Sequence, residues 1–262
     1  MCNRDANRQL IKAREESQVM PNRNGRGRYR GPARSRSRRR SRRNLGALIA
    51  AGSFTSVSSS WAQPAVSCGG TDTFSASAFW AGLDGDGTPT VEQTGTEADC
   101  DGGTASYQGW YEIFPNAPVF YPDPVQPGDD MSASVVADGN GTFTLTLRDA
   151  TQGWTQARKQ AEPDAQLGSA EVIAEAPSNG TVLPLADFGT VNFTGVTVDN
   201  APIGAGPNLS ELTLSAPDGT ALATPSALTA GNAFSVTSAG PVTPGPGTSD
   251  GPGASGGEWY QG

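Results

Sequence analysis

Residues 79–96, FWAGLDGDGTPTVEQTGT, hold two extended runs, Phe79–Asp84 and Thr90–Thr96, joined by a turn rich in Gly, Asp and Pro. Alternate side chains of an extended chain share a face. Trp80, Gly82 and Asp84 therefore point one way, and Val91, Gln93 and Gly95 share a face of the second run. An aromatic ring, a carboxylate and a carboxamide on neighbouring strands can line a groove that holds a peptide or a sugar. Two later runs add polar groups on single faces. In SYQGWYEIFP, Gln108, Trp110, Glu112 and Phe114 share parity, opposite Tyr107, Tyr111 and Ile113. In SAEVIAEAP, Glu171, Ile173 and Glu175 stand opposite Ala170, Val172 and Ala174. Glu171 and Glu175 would lie about 13 Å apart at about 3.3 Å per residue, too far to act as one catalytic pair. At most one of them belongs to a given site. The plainer reading is that Asp84 and Asp86 are turn residues and Gln93 a solvated strand residue, since Asp, Gly and Pro dominate turns anyway.

The chain contains no histidine. That removes Ser-His and Cys-His nucleophile pairs and histidine-containing zinc sites. Acid–base chemistry must then come from carboxyl groups. Of the three cysteines, Cys2 stands near the start, and Cys68 and Cys100 are without CxxC spacing. A zinc site is not expected. A Cys68–Cys100 disulfide is the economical reading and suggests an oxidising compartment; two buried free thiols are the alternative. Asp84-x-Asp86-x-Thr88 starts like a calcium loop, but Gly95 stands where the twelfth-position Glu would be. No metal or cofactor is expected.

The net charge of −8 hides a split. Residues 1–43 carry all but three of the 18 Lys and Arg, and all but three of the 26 Asp and Glu lie beyond them. The acidic part repels nucleic acid and anionic membrane at neutral pH. Its self-repulsion eases as carboxylates protonate, so it is suited to acid. The leader, ending RGRYRGPARSRSRRRSRR, is expected to be disordered. It reads as an RNA-binding arm, a cleaved leader, an inhibitory pro-segment, or the product of a misassigned start. No run of 18 apolar residues is present, so no membrane helix is expected.

Residues 42–64 parse in two ways. Arg42-Arg43, the apolar stretch Leu45–Val57 and Ser60-Trp61-Ala62 imitate a twin-arginine signal with a small-residue cleavage site. Alternatively, Leu45–Ala51 and Phe54–Gln63 are strands around a Gly52-Ser53 turn. From Cys68 strand signals recur: Phe74–Asp84, Thr90–Thr96, Ala105–Pro115, Met131–Asp138, Thr142–Arg148, Thr155–Gln160, Ser169–Ala176, Thr190–Val198, Glu211–Ser215 and Phe234–Ser238. PNAPVFYPDPVQPGDD reads as a proline-rich connection. About a dozen strands with hairpin-length connections mean an all-β fold of two packed antiparallel sheets. The expected domains are the leader 1–43, a β-sandwich 44–240, and a flexible Pro/Gly/Ser-rich tail 241–262.

The runs FWAGLDGD, VEQTGTEADC, WYEIFP, TQGWTQ, SAEVIAEAP and LPLADFGTVNFTGVTV, taken in this order, resemble the glutamic peptidases (the eqolisin or G1 family). The resemblance runs from about Asn44 to Thr237. It implies a concanavalin A-like, jelly-roll sandwich of two roughly seven-stranded antiparallel sheets with a concave cleft. It favours the two-strand parse of residues 42–64 over the signal peptide. It implies a catalytic dyad of Gln93, in its Q-T-G context, and Glu171, which opens the A-E-V-I run. It places Trp80, Asp84, Trp110, Glu112 and Phe114 in the substrate cleft. Phe114 stands where the family usually has tyrosine, which removes a hydroxyl. Asn44-Leu45-Gly46 only partly matches the family's N-W-x-G start.

The residue types suit acid peptide hydrolysis. Glu171 as carboxylate can take a proton from water and return it to the departing amine. The Gln93 carboxamide offers N–H donors to the oxyanion and stays neutral at every working pH. The pepsin-type D-[TS]-G signature is absent. The expectation is a secreted, monomeric acid endopeptidase acting on proteins or peptides through activated water, with Glu92 and Glu175 structural or solvated. A carbohydrate-binding or glycan-cleaving sandwich is the alternative, because Trp-lined concave sheets also suit sugars.

Overall fold

Alternation along the strands decides the architecture. In TFTLTLRD the buried Phe143, Leu145 and Leu147 alternate with half-buried threonines, so one face of this strand packs inward. A computed structural model describes residues 45–240, apart from 70–73, 179–181, 207 and 217. The leader 1–43 and the tail 241–262 lie outside the described residues.

Sixteen strands appear among them: β1 Leu45–Ala51, β2 Ser56–Ala62, β3 Ser75–Asp84, β4 Val91–Asp101, β5 Thr104–Phe114, β6 Val119–Pro124, β7 Asp130–Ala137 and β8 Thr142–Asp149; then β9 Trp154–Ala161, β10 Ser169–Glu175, β11 Thr190–Val198, β12 Ala201–Pro202, β13 Leu209–Leu212, β14 Leu214–Ser215, β15 Ala221–Pro225 and β16 Phe234–Ser238. One sheet has seven strands in the order β13-β1-β10-β3-β4-β5-β6. The other has nine, β14-β15-β16-β11-β2-β7-β8-β9, with β12 beside β11. All the pairings of these strands are antiparallel.

The fold is the all-β sandwich expected from the sequence, and β1 and β2 are both strands of it. Three strands are absent from the sequence reading, the two-residue Ala201–Pro202 among them, and one expected strand is split. Val119–Pro124 lies in the proline-rich connection yet forms the edge of the seven-stranded sheet, where missing N–H groups are tolerated. Ala221–Pro225 is also a strand, and Glu211–Ser215 divides between β13 and β14.

The main core lies between the sheets, built from residues such as Phe79, Leu83, Leu145, Leu147, Val172, Phe193 and Val236. A second, smaller apolar cluster sits on the other face of the seven-stranded sheet: Ala47, Ile49, Ala78, Trp80, Val91, Trp110 and Ile173, flanked by Phe114, Phe120 and Leu212. Strands β3 and β4 are consequently buried on both faces along nearly their whole length. An antiparallel strand with only one packed face would alternate instead. Cys68 and Cys100 form a disulfide that ties the segment before β3 to the end of β4.

The core side of β4 carries an unusual passenger. Glu92 is fully buried, and no hydrogen bond of normal geometry reaches either carboxylate oxygen. Burial first, then repulsion from Asp84, pushes its carboxyl up to about 8, against the opposing influence of the Thr90 hydroxyl; Glu162 adds further repulsion. Burial also raises Asp149, reinforced by the adjoining Asp129 carboxyl against the Gln152 N–H. The sequence expectation that Glu92 is structural or solvated resolves to the structural half.

Two outcomes are expected. Alkylation of the folded protein without reductant should leave Cys68 and Cys100 unlabelled by intact mass. The folded carboxyl of Glu92 holds its proton above the ordinary value of 4.5, so its stabilising share is complete below about pH 4.5 and is lost as pH rises to about 8. The slope is about 1.4 kcal/mol per pH unit. Thermal unfolding from pH 3 to 8 should show a falling midpoint above pH 5, and Glu92→Gln should flatten that fall.

Candidate active site

Register brings the polar residues together. In the seven-stranded sheet Glu171 pairs with Gly82, Gly82 with Gln93, and Gln93 with Glu112. Directly opposed residues share a face, so β10, β3, β4 and β5 present Glu171, Gly82, Gln93 and Glu112 as one transverse row. Adjacent strands are about 4.8 Å apart, which puts the Glu171 and Gln93 backbones about 10 Å apart across β3. Between them stands a glycine. A Cβ on Gly82 would meet Gln93 Cβ and Trp80 Cζ3 at 3.0 Å and the Glu92 carbonyl oxygen at 3.1 Å. The missing side chain lets Gln93, Trp80 and the β4 backbone close up against β3 at this point of the row.

The next row along the strands is Ile173, Trp80, Gly95 and Trp110. Gly95 is required there, because a Cβ would lie 2.1 Å from the Phe79 carbonyl oxygen and 2.5 Å from Trp80 Cβ. Trp80 is fully buried, and its indole N–H donates to Glu175 Oε2 at 3.0 Å. The row on the other side holds Asp84, Val91 and Phe114. Six of the seven residues singled out by parity and motif therefore lie on the same face of one sheet, and Asp84, at the end of β3, turns its carboxylate toward residues 166–168.

Their local settings differ. Glu171 and Gln93 are each about 1 % exposed, so the two side chains sit in a largely dehydrated place where electrostatic interactions are stronger than in water. Gln93 Nε2 donates to Glu112 Oε2. This bond turns the amide nitrogen toward Glu112. It uses one of the two Nε2 hydrogens, and Gln93 Oε1 is buried with no hydrogen-bond partner. Glu112 and Phe114 are half-buried.

Asp84 ends β3 with a left-handed backbone, φ 64°. Its carboxylate is fully buried and accepts the Gln166 and Leu167 N–H groups at 2.9 Å each and the Gly168 N–H at 2.7 Å. It thereby grips the segment that leads into β10. Asp86, on the same turn, donates its N–H to Ser169 Oγ at 3.1 Å, and Ser169 Oγ donates to Glu171 Oε1 at 3.2 Å. The Gly85 backbone, φ 104°, lies against the Glu171 carboxylate, where a Cβ would come within 2.9 Å of both oxygens.

Sequence reasoning passed over Gly82, Gly85 and Ser169. A glycine inside a strand signals close approach of something to the backbone, and that cue was present at Gly82. Ser169 had no distinguishing signal in a serine-rich chain. Among the described residues no cluster of three or more His, Cys, Asp or Glu is arranged to hold a metal ion.

The sequence pattern of the Peptidase A4 family matches residues 43–237. Aspergillopepsin-2 of Aspergillus niger is 27% identical over 205 residues, 69% of this chain and 72% of its own length. Scytalido-glutamic peptidase, solved with a transition-state analogue inhibitor, superposes with a TM-score of 0.62 at 26% identity, covering 74% of this chain and 98% of that one. SCP-B, an eqolisin solved with the tripeptide Ala-Ile-His, gives 0.58 at 26% identity over 74% and 98% of the two chains. The match takes in nearly the whole described sandwich, including every strand that contributes to the Glu171–Gln93 row. The chain belongs to the Peptidase A4 family, the eqolisins or glutamic peptidases, and is a glutamic endopeptidase.

Proposed function

We propose that this peptidase works in acid, with Glu171 as general base and Gln93 as the oxyanion-binding partner. The observation that carries the reading is the row in which Gly82 separates the two. A water held between the two side chains would meet both a carboxylate and a carboxamide. Glu171 takes a proton from the water as its oxygen attacks the scissile carbonyl carbon. The second Nε2 hydrogen of Gln93 meets the oxygen on which negative charge develops. Collapse of the tetrahedral species breaks the C–N bond, and Glu171 returns the proton to the leaving amine. No covalent intermediate forms.

Glu112 serves this reaction by holding the Gln93 amide in its productive orientation. Trp110 and Phe114, beside Glu112 on β5, supply apolar walls for substrate side chains. Trp80 forms the floor, and Asp84 supports the site by positioning the start of β10. Acid operation follows from two features: no histidine is present to titrate near neutrality, and the buried Glu92 carboxyl favours the folded state only while protonated. The Cys68–Cys100 disulfide supports an oxidising, extracellular setting.

Hydrolysis of casein or a peptide library at pH 2–7 tests the reading, with near-UV circular dichroism to verify folding. Glu171→Gln should abolish turnover, because an amide cannot accept the water's proton. Gln93→Glu should be impaired as well, since it places a like charge beside the base and beside Glu112 and removes the N–H donors. Each loss should be at least about a hundredfold. Wild-type rates in folded Glu171→Gln, or activity confined to neutral pH, would show the assignment to be wrong. Cleavage of a β-glucan panel with casein untouched would favour the carbohydrate alternative.

A further inference from the structure

A glutamate side chain has three rotatable bonds, so a general base at the end of one needs something to hold it. Ser169 is placed to do so. It precedes Glu171 by two residues on β10, so both side chains leave the same face of the strand. It is fully buried. Its hydroxyl has one hydrogen and two lone pairs. The Asp86 N–H donates into that oxygen at 3.1 Å, which fixes the hydroxyl's orientation, and the hydroxyl hydrogen goes to Glu171 Oε1 at 3.2 Å.

The polarity of this relay matters. Every group in it donates in the same direction, from the Asp86 N–H through the Ser169 hydroxyl to a carboxylate oxygen. A hydrogen bond donated to a carboxylate favours its charged form, which is the form a base must take. The turn that starts the relay is itself pinned. Gly85 N–H donates to Thr88 Oγ1 at 2.7 Å, and Thr88 Oγ1 donates to the Thr90 carbonyl at 3.2 Å. The Asp84 carboxylate grips the Gln166, Leu167 and Gly168 N–H groups, the backbone leading directly into Ser169. The β3–β4 turn thus fixes both the backbone ahead of Ser169 and the hydroxyl itself.

We propose that Ser169 is a positioning residue for catalysis, holding Glu171 as an oriented carboxylate through a donor relay anchored on the Asp86 N–H. The proposal rests on the reading of Glu171 as general base. A merely structural serine would affect stability and little else. A positioning serine must also affect kcat and its dependence on pH.

The test measures kcat and KM of the full-length protein on a peptide substrate across the acid range, for wild type, Ser169→Ala, Ser169→Thr and Glu171→Gln. Ser169→Ala should fold, lower kcat by about tenfold or more for one lost hydrogen bond to a charged group, and leave KM within about twofold. The acid limb of its kcat profile should move to higher pH by about half a unit or more. Ser169→Thr, which keeps the hydroxyl, should recover most of kcat and return the acid limb to its wild-type place. If the added methyl prevents Ser169→Thr from folding, the acid limb of Ser169→Ala decides alone. Folded Ser169→Ala with wild-type kcat and an unmoved acid limb would overturn the proposal. So would equal impairment of the alanine and threonine variants with the limb unmoved. A wild-type rate in Glu171→Gln would instead remove the general-base reading itself, whereas an inactive Glu171→Gln beside an unaffected Ser169→Ala would remove only the role of Ser169.

Discussion

The interstrand register of β10, β3, β4 and β5 is the constraint on which the rest of the structure depends. A slip of one residue in any of these pairings would turn a whole strand's side chains to the opposite face, sending Gln93 or Glu171 into the core and bringing Glu92 or Val172 out. The register is fixed from both sides of the sheet. On the core face Phe79, Ala81 and Leu83 of β3 and Val172 of β10 pack against the second sheet. On the cleft face Trp80 sits opposite Gly95, a position where any side chain would collide with the Phe79 carbonyl and the tryptophan itself. The Asp84 carboxylate then fastens the end of β3 to the segment entering β10. The geometry of the proposed site is in this way a by-product of sheet pairing, and it rests on strands, which hold side chains more firmly than loops do.

Chemistry and stability make the same demand on the solvent. Without histidine, titrating catalysis falls to carboxyl groups, which work in acid. In the core, Glu92 and Asp149 are both shifted toward the protonated form by burial. Raising the pH therefore works against the folded state. The concentration of acidic residues beyond residue 43 adds a diffuse repulsion of the same sign.

Much of this was legible in the sequence, and for identifiable reasons. Alternation as clean as that of Phe143, Leu145 and Leu147 leaves little choice but a half-buried strand. Parity put Trp80, Gln93, Trp110, Glu112 and Glu171 on single faces of their strands, and the register brings those faces together on one side of the sheet. What escaped did so where a local rule gave way to tertiary context. The prolines of Val119–Pro124 spoke against a strand, yet an edge position tolerates them. Asp84 has the parity of a cleft residue, but its left-handed backbone turns the carboxylate toward residues 166–168. Glu92 carries a charge type that ordinarily means solvent, and only the packing of the second sheet shows it to be buried. Ser169 looks like any other serine until its two hydrogen bonds are seen.

In the proposed mechanism the reacting water lies between the Glu171 carboxylate and the Gln93 carboxamide, whose backbones flank Gly82. The most direct measurement is kcat/KM of Gly82→Ala on a peptide substrate in acid, with near-UV circular dichroism as the control for folding. The added methyl would press on Gln93 Cβ and Trp80 at 3.0 Å. A misplacement of about 1 Å costs up to about a hundredfold when geometry is what catalyses, and that factor bounds the effect of the smaller shift here. The account predicts a folded variant with kcat/KM down by up to that factor; a folded Gly82→Ala that hydrolyses peptide at the wild-type rate would contradict it.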